Sequence, residues 1–137
     1  MTAAIVDSLV AAWNSTDVDR IAGLYADDAV VHHPMSPSTL KGRGEIREME
    51  GTIFPSFSEV RWTAGRVLTD GPTVALEFNV SAVNTGDLQT PNGPVPATNR
   101  PISVDGSSFL HLSDDGRIAE EHRYFNVAAM LAQLGLQ

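Results

Sequence analysis

The chain has 137 residues, 42% of them hydrophobic, no cysteine and a formal net charge of −8. That is enough apolar material for one core, and a single domain over 1–137 is the expected organisation. Disulfides, thiolate metal sites and a cysteine nucleophile are excluded, the acidity disfavours nucleic acid and anionic membranes as partners, and no run is long and apolar enough for a membrane helix.

Residues 3–13 predict a helix, because Ile5, Val6, Leu9, Val10 and Trp13 recur on one face. Asn14-Ser15 interrupts it. Thr16 or Asp17 can cap a second helix that buries Val18, Ile21, Ala22, Leu24 and Tyr25. Residues 29–33 read as a strand and the proline- and hydroxyl-rich 34–41 as a loop. A third helix is expected over 44–54, with Ile46, Met49 and Ile53 inward and Pro55 as its stop. Strands follow at 59–69 and 73–84, divided by the turn Asp70-Gly71-Pro72. In the second of them Leu76, Phe78, Val80 and Ala82 alternate with polar residues. Residues 85–101, rich in proline and glycine, predict a long loop or irregular hairpin tip. Strands at 102–112 and 117–125 flank the turn Ser113–Gly116, and 127–134 predicts a closing helix. Hairpin-linked strands after leading helices imply an α+β fold, an antiparallel sheet with the helices packed on one face. Without a basic, apolar leader the expected compartment is the cytoplasm.

The first strand ends in adjacent histidines, His32 and His33, whose side chains must point to opposite faces of an extended chain. The last strand divides the same way, with Ala119, Glu121, Arg123 and Phe125 on one parity and Glu120, His122 and Tyr124 on the other. Asp105 and His111 share a parity six residues apart. No histidine pair has the short spacing of a helical metal motif, and no Gly-rich phosphate loop or GxSxG elbow occurs, so neither a metal nor a cofactor is expected.

The opening "AAWNSTDVDRIAGLYADDAVVHHPMSP", the loop "NTGDLQTPNGPVPATNRPI" and the ending "DGRIAEEHRYFNVAAMLAQLGL" resemble the SnoaL-like branch of the nuclear transport factor 2-like superfamily. That superfamily includes ketosteroid isomerases and polyketide cyclases. The resemblance implies a cone: a strongly curved antiparallel sheet around a pocket, with helices on its concave face. It places His33 where the isomerases carry their carboxylate base, before Pro34, and turns His32 outward. It places Ser108 at the position of a catalytic aspartate, Leu9 at that of a phenol donor, and Arg123 where epoxide hydrolases of the superfamily carry an aspartate. None of these catalytic sets is intact.

The resemblance therefore implies His33 as base, with Arg123 or Ser108 stabilising an enolate oxygen. A pocket wall of Trp13, Tyr25, Val31, Phe78, Val80, Leu110, Glu121 and Phe125 goes with it, and the loop 85–101 would rim the mouth. The implied ligand is a small hydrophobic carbonyl compound of polyketide or steroid type, processed without a cofactor by proton abstraction and isomerisation or ring closure. The alternative is a non-catalytic binding or assembly module of the same fold. A homodimer pairing through the outer sheet face around Phe109 is the expected assembly.

Overall fold

The computed structural model describes residues 3–90 and 92–136. Helix α1 spans Ala4–Ser15 and buries Ile5, Val6, Leu9, Ala12 and Trp13. It ends because Thr16 turns left-handed, with φ of 59°, and its N–H reaches the Trp13 carbonyl. Asp17 then starts α2, Val18–Ala22: one side-chain oxygen accepts from the N–H groups of Asp19 and Arg20, at 3.0 and 3.4 Å. This helix is shorter than the apolar spacing suggests. Tyr25 belongs to the next element, β1 (Tyr25–His32).

The expected third helix is two. After β2 (Leu40–Lys41), α3 runs Arg43–Gly51 and α4 runs Ile53–Ser56. Pro55 lies inside α4 rather than ending a helix, since a first turn has no backbone bond for it to break. The remaining elements are β3 (Phe57–Asp70), β4 (Thr73–Asn84), the short hairpin β5 (Leu88–Thr90) and β6 (Gly93–Val95), β7 (Pro101–Leu112), β8 (Ile118–Phe125) and α5 (Val127–Leu134).

Six strands form one sheet in the order β2-β1-β8-β7-β4-β3. All neighbours are antiparallel except β1 and β8, which pair in parallel with His32 beside His122. The hairpin logic of the sequence does not reach this pair, because residues 33–117 separate the two strands. Register shifts between Ser58 and Arg61 and between Ala64 and Val67 interrupt β3, and such bulges bend and twist a sheet.

Alternation fixes which side chains enter the concave face. Val74, Leu76, Phe78 and Ala82 of β4 and Ile102, Val104, Ser108 and Leu110 of β7 are buried there. The apolar face of α1 closes over them with Tyr25, Val31 and Trp62, while Leu134 of α5 covers a second cluster of Phe57, Ala82, Ile102 and Val104. Trp62 and Phe78 stack at 5.5 Å. That ring lies across Gly106, the register partner of Phe78, where an added Cβ would fall 2.4 Å from the ring carbon Cζ.

The loop 85–101 is tied down by a fully buried residue. Asn84 donates from Nδ2 to the carbonyls of Ser56 and Gly86, both at 2.9 Å, and accepts from Thr98 N at 2.8 Å and Thr98 Oγ1 at 3.0 Å. All its hydrogen-bonding capacity is met inside the protein. Phe109 and Tyr124 remain half-exposed on the outer face and meet edge to face.

Candidate functional site

The last strand brings Glu121 and Arg123 to the inner face, two residues apart and so on one side of the pleat. Glu121 is 3% exposed, and isolated charges are not tolerated at such depth without partners. It has four. Tyr25 donates its hydroxyl to one carboxylate oxygen, and Arg123 Nη2 reaches the same oxygen at 3.1 Å. The other accepts from Ser108 Oγ at 2.8 Å and Arg123 Nε at 2.9 Å. A second buried carboxylate, Glu50 of α3, meets the same guanidinium: Nη1 donates to Oε2 at 3.2 Å, and Nη2 stands 2.7 Å from Oε1. No N–H points along that shorter contact, so Oε1 is held by charge without an aligned hydrogen bond.

One guanidinium thus faces two carboxyl groups, and the surroundings divide them. Burial pushes Glu121 upward, but the Arg123 charge and the bonds from Arg123, Tyr25 and Ser108 outweigh it and hold its carboxyl below the usual range. Burial dominates at Glu50, whose carboxyl is raised despite Arg123. Glu121 keeps the charge, and Glu50 is the first of the two to take a proton. Arg123 is held cationic, because the two carboxylates outweigh the cost of burying it. Tyr25 is pushed well up by burial and then by the Glu121 charge, so its phenol remains a donor.

His33 lies beyond this network, following β1 with the inward parity of Ala29 and Val31. Its Nδ1 accepts the Met35 backbone N–H at 3.1 Å, and its ring meets Phe125 edge to face at 5.9 Å. A backbone amide can only donate, so the neutral ring carries its proton on Nε2. Burial, then the nearby Arg123 charge, lowers its pKa to about 4 against the opposing pull of Glu121. At neutral pH the imidazole is uncharged and offers Nε2–H, with no protein partner for that donor among the described residues.

A cleft of about 360 Å³ opens at this point. His33, Arg123 and Phe125 line it, with His32, Tyr124, Pro34 and the segment Ser36–Thr39. Of the sequence-expected site residues, the structure brings His33, Arg123 and Phe125 to the cleft. It sets Tyr25, Ser108 and Glu121 behind Arg123 as one hydrogen-bonded support. Ser108, expected as an enolate donor, does not line the cleft, and its hydroxyl donates to Glu121 instead.

Trp13, Val31, Phe78 and Leu110 are buried in the main core and Val80 packs against it, and none of the five lines the cleft. The tilt of Trp13 against Phe54, with centroids at 6.0 Å, shows where its ring is spent. No described residue of 85–101 lines the cleft either, because Asn84 holds that loop against Ser56. Two participants were not anticipated. Glu50 sits one helical turn after the buried Ile46, a spacing that already put it on the inner face. The hydroxyl-bearing wall Ser36, Ser38 and Thr39 carried no distinguishing signal beyond loop composition.

Comparison with known proteins agrees with this architecture. A family profile for the SnoaL-like domain matches residues 6–121, and the chain belongs to that family. Among solved structures it is similar to a protein of ketosteroid isomerase-like fold from Catenulispora acidiphila, solved in complex with trimethylamine. That pair shares 23% identity over 100% of this chain and 96% of the other, with a TM-score of 0.82. TsrD from Streptomyces laurentii has a TM-score of 0.81 at 16% identity, covering 97% of this chain and 93% of its own. An LEH-like epoxide hydrolase of M. tuberculosis has a TM-score of 0.71 at 17% identity, covering 96% and 87%. No curated protein matches the chain. Among the described residues no helix is long and apolar enough to cross a membrane.

Proposed function

We propose that the chain is a cofactor-independent enzyme of the polyketide cyclase or ketosteroid isomerase type, acting on a hydrophobic carbonyl compound in the cleft at His33. One observation carries the reading. His33 and Arg123 line the same cleft; the neutral His33 ring spends Nδ1 on the Met35 N–H and so carries its proton on Nε2, and Arg123 is held cationic by Glu121 and Glu50. Fixed donors of this kind stabilise negative charge as it develops on an oxygen, at no reorganisation cost. In this role His33 hydrogen-bonds the carbonyl and Arg123 supplies the field. The α-proton of an activated dicarbonyl leaves to water in the open cleft, and the enolate then reprotonates elsewhere or attacks a second carbonyl. The general-base role implied by the resemblance would need a free nitrogen lone pair, and in this tautomer His33 has none to offer.

The reading is tested by following α-proton exchange of a hydrophobic cyclic 1,3-diketone in D2O by NMR. The expected result is exchange accelerated by catalytic amounts of protein and inhibited by the corresponding enol ether. Exchange at the buffer rate with saturating protein contradicts it. That outcome favours the second reading, a binding module without chemistry. In its favour, both buried carboxylates near the cleft are paired with Arg123, which leaves neither of them as a free base.

A further inference from the structure

The outer face of the sheet carries a second group of side chains that the cleft chemistry does not use. His32 closes β1 and lies in parallel register with His122 of β8. Glu120 precedes His122 by two positions and shares its face. The two imidazoles stack, with centroids 4.0 Å apart and planes 11° from parallel. Both direct Nε2 at one carboxylate oxygen: Glu120 Oε2 is 3.2 Å from His32 and 3.4 Å from His122. The three donor atoms lie within 4.8 Å of one another.

We propose that His32, Glu120 and His122 form a binding site for a divalent first-row transition ion, with Zn²⁺ as the representative case. Two ligands about 2.1 Å from a tetrahedral zinc stand about 3.4 Å apart. Two edges of the donor triangle already have that length. The third closes by side-chain rotation alone, because the two histidine side chains are 39% and 42% exposed and displace nothing buried. The same exposure leaves the fourth coordination position to water. Two imidazoles and one carboxylate form a donor set that such ions prefer over Mg²⁺ or Ca²⁺. The net charge of −8 favours approach of a cation. The geometry is supported by backbone pairing rather than by a flexible loop, which limits the ordering needed on binding. His32 also lines the cleft at His33, so the ion would sit at its rim.

The site joins residues 88 positions apart, which is why no local spacing announces it. The test is calorimetric titration of Zn²⁺ into the chelator-treated full chain. One ion per chain should bind, with a dissociation constant in the micromolar range or tighter. His32→Gln, Glu120→Gln and His122→Gln should each weaken binding at least about tenfold, since even residues behind a metal's ligands matter by that factor. These positions are at the surface, so the variants should keep the parent's circular dichroism spectrum. Co²⁺ should give the visible bands of a tetrahedral site, absent in His122→Gln. No binding at millimolar Zn²⁺, or binding that none of the three substitutions changes, overturns the proposal.

Discussion

Arg123→Leu should cost about 3–5 kcal/mol of unfolding free energy, the usual penalty for leaving a buried charge without its partner. The guanidinium holds Glu121 and Glu50 together, and both carboxyl groups are 3% exposed. Without it, Tyr25 and Ser108 still donate to Glu121, but no positive charge opposes the cost of burial. The loss should also depend on pH, and its sign follows from burial. In the variant, both carboxyl groups have folded-state pKa values above their unfolded ones. The protonated, low-pH form is then the better-tolerated one, and stability is lost as pH rises through those values. Adding Glu50→Gln and Glu121→Gln to Arg123→Leu should recover most of the loss by removing both charges. Urea denaturation at acid and neutral pH measures all of this. A neutral-pH loss below about 1 kcal/mol, the size of an exposed ion pair, would show that water reaches the carboxylates.

The largest functional effect should come from His33, and its two amide replacements should behave differently. His33→Asn puts an amide where Nδ1 was. It can still accept the Met35 N–H, but nothing remains at the position of Nε2. In the diketone exchange assay this variant should lose on the order of 10²–10³ in rate, the contribution of one fixed donor to a developing oxyanion. His33→Gln is longer and carries an N–H near the old Nε2 position, so it should keep a substantial part of the rate. Stability should change little in either. Equal, complete loss in both variants would argue for proton abstraction by the ring, and full activity in His33→Asn would remove His33 from the chemistry.

How far the sequence reveals this arrangement depends on the range of the signal. Alternation along β4 and β7 and the apolar stripe of α1 are local patterns, and the burial of Leu76, Phe78, Leu9 and Trp13 follows from them. The inward turn of His33 and Arg123 follows from strand parity and the resemblance together. Other features depend on partners distant in sequence. The parallel pairing of β1 with β8 cannot be read from either strand. The diversion of Ser108 to Glu121, and of Trp13, Val31, Phe78, Val80 and Leu110 from cleft wall to core, depends on how closely the helices approach the sheet. Pro55 misled because its tolerance depends on whether the chain starts a new turn before it, which the tertiary path decides.

The account rests on His33 standing uncharged with its proton on Nε2 in the cleft. The direct measurement is the two-bond ¹⁵N–¹H spectrum of the histidine rings at neutral pH, taken on chelator-treated protein. The account predicts for His33 a protonated, pyrrole-type Nε2 and an unprotonated Nδ1 that accepts the Met35 amide. A proton on Nδ1, or an imidazolium with both nitrogens protonated, would contradict it.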